Sequence, residues 1–154
     1  MKLGVYIDTS NLYYGVKEVY DRKINYRALM DFIKDIGTVY TAKAFMAQLG
    51  DQASRFIDCL GALDIEVFCK EPKPMRTKQG IVHKADWDVG LTIQVIKDIG
   101  EVDGVVLCTS DGDFAPLVQF LKEAGKTVII IASNASHELA IADHVLPIGE
   151  LVLL

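Results

Sequence analysis

Short runs of β-branched and other apolar residues recur along the chain at 3–7, 39–49, 65–69, 105–109, 128–132 and, more weakly, 145–148, with helical patterns between them. This alternation limits the possible folds more than any other feature of the sequence. Runs that are apolar at every position describe strands covered on both faces, as in parallel sheets, whereas antiparallel surface strands alternate with polar residues. Tyr26, Leu29, Met30, Ile33 and Ile36, and later Leu91, Val95, Ile96 and Ile99, repeat at intervals that put them on one helix face. A third set, Phe114, Leu117, Val118 and Leu121, is followed by Gly125, a residue suited to the left-handed conformation that closes a helix. Together these patterns predict an α/β fold, a three-layer sandwich whose mostly parallel central sheet is covered on both sides through right-handed crossovers. In such an open sheet the working site lies beyond the carboxyl ends of the strands, where strand order reverses.

A chain of 154 residues with 51% apolar side chains can bury enough surface to fold without a disulfide framework or a structural metal. A metal, if bound, therefore serves chemistry. No repeat, low-complexity tract or Ser/Gly-rich linker divides the sequence, so residues 1–154 are expected to form one domain. Cys59, Cys69 and Cys108 are widely spaced and set in apolar runs, which predicts core thiols in a reducing, cytoplasmic setting and excludes a CxxC zinc or redox site. The opening MKLGVYID meets an aspartate too soon for a signal peptide or a membrane span, so no membrane association is expected. With 16 Lys and Arg against 21 Asp and Glu, the net charge of −5 does not describe a protein that coats polyanions. The location of the charges carries more information.

Two strand tips end in acids: Ile7-Asp8-Thr9-Ser10-Asn11 and Thr109-Ser110-Asp111-Gly112-Asp113-Phe114. Asp8 alone reads equally well as a helix cap or as a functional group. Asp111 and Asp113 around a flexible Gly112 exceed what capping requires. Carboxylates gathered this closely repel one another unless a hard cation such as Mg²⁺ or Mn²⁺ neutralises them. A third acidic group, Lys84-Ala85-Asp86-Trp87-Asp88, opens the helix that runs to about Ile99. Residues two apart do not share a helix face, so one of Asp86 and Asp88 is expected at the site, with Asp88 favoured as ligand and Asp86 as N-cap. The small Gly90 would let this helix approach a neighbouring backbone or ligand.

Between Lys70 and Lys84 the chain carries Lys70, Lys73, Arg76, Lys78 and Lys84 against the single acid Glu71, with Pro72, Pro74 and Gly80 interrupting regular structure. This basic segment reads either as an arm that steers a phosphate backbone toward the acids or as a solvated hairpin. Other motifs fail on inspection. Gly125-Lys126-Thr127 lacks the first P-loop glycine, with Phe120 in its place, and leads into a strand. No GxSxG elbow occurs, and Ser10 stands where an aspartyl phosphatase needs its second acid. His83, His137 and His144 show no metal-ligand spacing.

In order, the motifs Ile7-Asp8-x-x-Asn11-Leu12, Lys84-x-x-x-Asp88-Val89-Gly90-Leu91 and Ser110-Asp111-Gly112-Asp113-Phe114-x-Pro116-Leu117 span most of the chain. The set resembles the NYN domain, in the LabA-like branch of the PIN-like nucleases. Ala85 departs from the pattern at a place where the family often has glycine. The resemblance implies a PIN-like (Rossmannoid) sandwich and a metal-dependent ribonuclease site built from Asp8, Asp88, Asp111 and Asp113, acting on single-stranded or unpaired RNA. On this view Asp8 and Asp111 hold the principal Mg²⁺ or Mn²⁺, and Asp88 and Asp113 complete its shell through water or hold a second ion about 3.5–4 Å away. Asn11 and Ser110 would position phosphate or water, while Lys84, Lys73, Arg76 and Lys78 hold the RNA backbone by charge. The stretch 139–143 resembles the family's closing helix, with Asp143 either a peripheral acid or a structural contact. Tyr13 and Tyr14, early in a helix, are expected to pack more readily than to stack on bases. Two other classes use the same residues: a non-catalytic PIN-like module that binds RNA or protein, and a small nucleotide phosphohydrolase. The apolar end Leu151-Val152-Leu153-Leu154 must cover itself on its own core or on a second subunit, which makes a homodimer one arrangement of the chain.

Overall fold

The computed structural model describes residues 1–47, 51–70, 73–84, 86–149 and 152–153, with 51–52, 73–75 and 81–84 described as backbone alone. Strand β1 (Lys2–Asp8) leads into helix α1 (Thr9–Tyr20) and α2 (Tyr26–Ile36), followed by β2 (Thr38–Met46), α3 (Asp51–Gly61) and β3 (Glu66–Cys69). A two-stranded ribbon, β4 (Lys73–Thr77) and β5 (Gly80–Lys84), precedes α4 (Asp88–Asp98). The second half runs β6 (Gly104–Cys108), α5 (Ala115–Glu123), β7 (Thr127–Ala132) and β8 (His144–Pro147).

The main sheet is six-stranded, in the order β3-β2-β1-β6-β7-β8, and every neighbouring pair is parallel. Alternation along each central strand divides its side chains between two cores. Leu3, Val5 and Ile7, with Val106, Cys108, Ile129 and Ile131, pack under Leu12, Val16, Leu29, Met30, Ile33 and Leu60 of α1, α2 and α3. Tyr6, Val105, Leu107, Val128 and Ile130 pack under Leu91 and Val95 of α4 and Leu117, Val118 and Leu121 of α5. Both faces of the sheet are thus buried, which is why these strands read as unbroken apolar runs. The three-layer α/β sandwich predicted from the sequence is the fold observed.

Helix ends follow local chemistry. The Asn25 side chain accepts from the Ala28 N–H at 3.1 Å and opens α2. Gly125, at φ +80°, follows the end of α5 in the left-handed conformation the sequence predicts.

Three expectations need correction, and a fourth is made more specific. The segment around the basic residues is a regular antiparallel ribbon, with Pro74 opposite His83 and the turn closed at Gly80 (φ +117°). A proline is tolerated there because an isolated ribbon consists only of edge strands. Cys108 is a core thiol, pushed up to about 12 by burial, but Cys59 and Cys69 are exposed. Cys59 adjoins the buried Leu60 in sequence, and sequence neighbours on a helix face different ways. The second strand ends at Met46, and the rest of the run to residue 49 includes positions outside the described residues. Finally, Val152 and Leu153 are buried in the chain's own core, and Ile24 forms an antiparallel bridge with Leu153. The described part of the apolar end is therefore covered without a second subunit; Leu151 and Leu154 lie outside the described residues. Among the described residues no helix is long and apolar enough to cross a membrane.

Candidate active site

The chain builds outward from β1 to β2 and β3, then returns to the centre and builds the other way through β6, β7 and β8. The reversal lies between β1 and β6, which pair from Leu3↔Gly104 to Ile7↔Cys108. Asp8 ends β1, and Thr109-Ser110-Asp111 follows β6, so both acidic tips open onto the switch-point crevice. Asp88 begins α4 at the same end of the sheet. Oxygen atoms of Asp88, Asp111 and Asp113 lie within 4.8 Å of one another. Asp8 stands outside that set but is close enough for its charge to act on Asp88.

Hydrogen bonds fix the two tips to each other. The Asn11 side-chain oxygen accepts from the Ser110 N–H and hydroxyl, each at 2.9 Å, and lies 3.2 Å from the Thr109 hydroxyl. That hydroxyl also lies 3.3 Å from Asp8 Oδ2 and accepts from the Asp111 N–H at 3.2 Å. Asn11 and Thr109 thus clamp the β1 tip to the β6 tip. Asp8 occupies the N-cap position of α1 without a well-formed side-chain capping bond, although the Asn11 N–H of the first turn favours its charged form. Asp111 does cap, accepting from the Asp113 N–H at 2.9 Å to start the turn before α5, while its carboxylate also belongs to the acidic set.

The electrostatics show crowded acids. Asp8 is raised to about 6, chiefly by burial and further by Asp111 and Asp86, although the Asn11 N–H and the Thr109 hydroxyl favour its charged form. Asp88 is raised to about 7, first by desolvation, then by Asp86 and by the charges of Asp111 and Asp8. Asp86 therefore acts on both. Its carboxylate accepts from the Asp88 N–H at 2.7 Å, the cap-like role expected of it, and its charge acts on the acidic set from beside it. Of the two acids, Asp88 belongs to the converging set and Asp86 does not, as expected, although Trp87 rather than Asp86 is the N-cap residue of α4. Asp86 precedes the helix, and it is its charge that reaches Asp8 and Asp88.

Gly90 makes room for the protein's own indole rather than for a ligand. A Cβ there would meet Trp87 Cε3 at 2.5 Å. The Trp87 N–H donates to the Met46 carbonyl at 2.9 Å, and the ring packs with Phe45 and Phe68. Lys70 lies over the same ring, 4.5 Å from its centre, and donates to the Asp86 carbonyl, closing the base of the basic ribbon beside the acids. Arg76 and Lys78 are exposed on the ribbon, and the side chains of Lys73 and Lys84 lie outside the described residues.

The loop after β7 adds groups that sequence reasoning passes over. A Cβ on Gly112 would approach the Ser136 hydroxyl to 2.7 Å and the Glu138 carboxylate to 2.8 Å, and one on Gly15 would approach the Ser133 hydroxyl to 2.7 Å. The Ser136 N–H donates to the Ser110 carbonyl at 3.0 Å. Glu138 thus borders the turn between Asp111 and Asp113, and its signal in the sequence is only that it follows a third neighbouring strand tip. Asp143 is elsewhere. Its carboxylate accepts from the Val128 N–H at 2.7 Å, at the opposite, amino-terminal end of β7, which makes it a structural contact.

The donor set is all oxygen, as a hard divalent cation requires. Ligands on opposite sides of an octahedral ion with bonds of 2.0–2.1 Å are about 4.2 Å apart, so the Asp88-Asp111-Asp113 set needs only small adjustments to close around one ion. No basic side chain among the described residues forms an ion pair with Asp8, Asp88, Asp111 or Asp113. The residues present fit a divalent cation.

No curated protein matches the chain. Among solved structures it is similar to a protein of unknown function from Vibrio parahaemolyticus RIMD 2210633, at 29% identity and a TM-score of 0.88, covering 99% of this chain and 96% of that one. The NYN domain family matches residues 2–149, a span that includes both acidic strand tips, the head of α4 and the loop after β7. On that match and the fold that carries it, the chain belongs to the NYN domain family, within the PIN-like nuclease superfamily.

Proposed function

We propose that this protein is a metal-dependent ribonuclease of the LabA-like branch, cutting phosphodiester bonds in single-stranded or unpaired RNA. The observation that carries this reading is the convergence of Asp88, Asp111 and Asp113 within 4.8 Å at the switch point of the sheet. These three carboxylates would hold the ion, Mg²⁺ or Mn²⁺, with Asp8 completing the shell through water. This reverses the division of labour expected from the sequence, in which Asp8 was paired with Asp111. When bound, the ion relieves charge on the phosphate oxygens and provides a nucleophilic water at neutral pH. Asn11 and Thr109 keep Asp8 and the β6 tip in fixed relation, so the acids do not have to be gathered when substrate arrives. The ribbon cations Arg76 and Lys78, with Lys73 and Lys84, would hold the phosphate backbone with little base selectivity.

The test is incubation of labelled single-stranded RNA with the purified protein and its Asp8→Asn and Asp111→Asn variants, in Mn²⁺, Mg²⁺ or EDTA. Cleavage should require the metal and should fall in Asp111→Asn by more than the ~10- to 100-fold typical of outer-shell changes. Full metal-dependent cleavage by Asp111→Asn would falsify the assignment. RNA bound equally with and without metal and released uncut would identify a non-catalytic module, and turnover of nucleotides alone would identify a phosphohydrolase.

A further inference from the structure

Helix α1 begins at the site and carries two tyrosines outside the core. Tyr14 is 68% exposed and Tyr13 40%, and their rings meet edge to face with centroids 5.2 Å apart. The inner face of this helix is filled by Thr9, Leu12 and Val16. Asn11 and Gly15 turn toward the β6 and β7 tips, where the Asn11 oxygen holds Ser110 and Gly15 faces Ser133. At 100° per residue, Tyr14 falls 60° from Asn11 on the solvent side, one turn beyond Ser10. Lys17 lies one turn farther, next to both rings at the i,i+3 and i,i+4 positions. Its ion pair with Asp21 is loose, at 3.9 Å, and on the surface. Ser10, Tyr14 and Lys17 thus form a strip about 10 Å long leading away from the acids. That length matches about three bases stacked at 3.4 Å.

We infer that Tyr13 and Tyr14, with Lys17, form a stacking platform for the unpaired bases of a single-stranded nucleic acid whose backbone crosses the acidic cluster. The inference rests on the nuclease reading for the occupant and deepens it, because it supplies a physical reason for a single-stranded substrate. Aromatic faces are useful to a strand whose bases are free to leave their neighbours, and a cation beside them suits its phosphates. A duplex keeps its base faces covered and gains nothing from the rings. The exposure also overturns the expectation that these tyrosines pack: their apolar surface serves neither core.

The experiment measures binding of a fluorescent RNA decamer in EDTA, so that cleavage is not needed for the signal. The proteins are the full chain, Tyr14→Ala, Tyr14→Phe and the Tyr13→Ala/Tyr14→Ala pair; the ligands are the decamer, an abasic strand of equal length and a duplex. Loss of one stacked base should weaken decamer binding by roughly five- to a hundredfold in Tyr14→Ala, and further in the pair. Tyr14→Phe should bind like the parent, and the abasic strand and duplex should not distinguish the proteins. Equal decamer binding by parent and Tyr14→Ala overturns the platform, as does equal loss with the abasic strand. A change in sedimentation without a change in RNA affinity also overturns it and assigns the rings to a protein contact. Cleavage is scored separately in Mn²⁺. A parent that stacks RNA but never cuts it refutes the nuclease reading and leaves the platform standing. One that cuts RNA indifferently to Tyr14 does the reverse.

Discussion

Thr109, like Asn11, joins the β1 tip to the β6 tip. Its hydroxyl touches Asp8, Asn11 and the Asp111 N–H, and the residue is only 1% exposed. Replacing it with the isosteric valine removes a group that favours the charged form of Asp8, so that carboxyl should titrate above its present value of about 6. The same change leaves the Asp111 N–H without its partner, at a cost of about 1–3 kcal/mol. A carboxyl-carbon NMR titration and a denaturant melt of Thr109→Val and Thr109→Ser check both effects, with serine retaining parental behaviour. An unchanged Asp8 titration in the valine variant would show that the hydroxyl does not act on it. The acids themselves were legible because paired aspartates at strand tips are chemically unusual. Thr109 was not, since a threonine at the end of a β-branched run looks like one more strand residue. The cap-like role of Asp86 was legible, although for a different reason than the angular one: α4 begins only after Trp87, so Asp86 precedes the helix and accepts from the Asp88 N–H.

Among the elements, length did not decide what was legible: the four-residue β3 and β8 were placed by their apolar runs, while the eleven-residue α3 was not. The central strands and α2, α4 and α5 follow the apolar pattern, because each is buried where the pattern says. Helix α3 carries Ala53, Phe56, Ile57 and Leu60 at the i, i+3, i+4, i+7 spacing of an amphipathic helix, so its signal was in the sequence although its run was not singled out. The ribbon is held by local backbone pairing and a Gly80 turn, which leave no apolar period to read. The head of α4 tests how tightly an element sets the site. In an exposed helix, Gly→Ala stabilises by up to about 1 kcal/mol. At Gly90 the sign should reverse, because the new methyl meets Trp87 Cε3 at 2.5 Å and Cζ3 at 2.9 Å. Displacing the ring strains its bond to the Met46 carbonyl and shifts the N-cap beside Asp88, at a cost of about 1–3 kcal/mol. Gly100→Ala, with nothing within 4 Å, is the neutral control. Because Trp87 is the chain's single tryptophan, its emission reports the displacement directly, alongside the thermal melts. Equal stability of the two variants would mean that the indole moves aside freely.

At the scale of the whole molecule, the fold was legible down to the end of the sheet that matters, while the partners of the acids depended on loops whose contacts no local pattern encodes. The cost of assembling the site should appear in global stability. Asp8 is raised from 3.8 to about 6 and Asp88 to about 7, so between about pH 4 and pH 7 the folded protein binds more protons than the unfolded chain. Stability must then fall as pH rises through that window. Below it these acids are protonated in both states and make no difference; above it the penalty is complete. For Asp8 the shift corresponds to at most about 3 kcal/mol, and the more exposed Asp88 adds a smaller, screened amount. A divalent cation reverses the trend, because it binds the deprotonated acids of the folded state alone. At a hundredfold excess over Kd it contributes about 2.7 kcal/mol, or roughly 5–10 °C in Tm for a chain of this size. Thermal melts should therefore show the metal-free protein more stable at pH 5 than at pH 7.5, and a Mn²⁺-induced rise in Tm that is large at pH 7.5 and small at pH 5. Asp111→Asn should remove most of that rise. An equal rise at both pH values would place the bound ion away from the carboxylates whose protons it must displace.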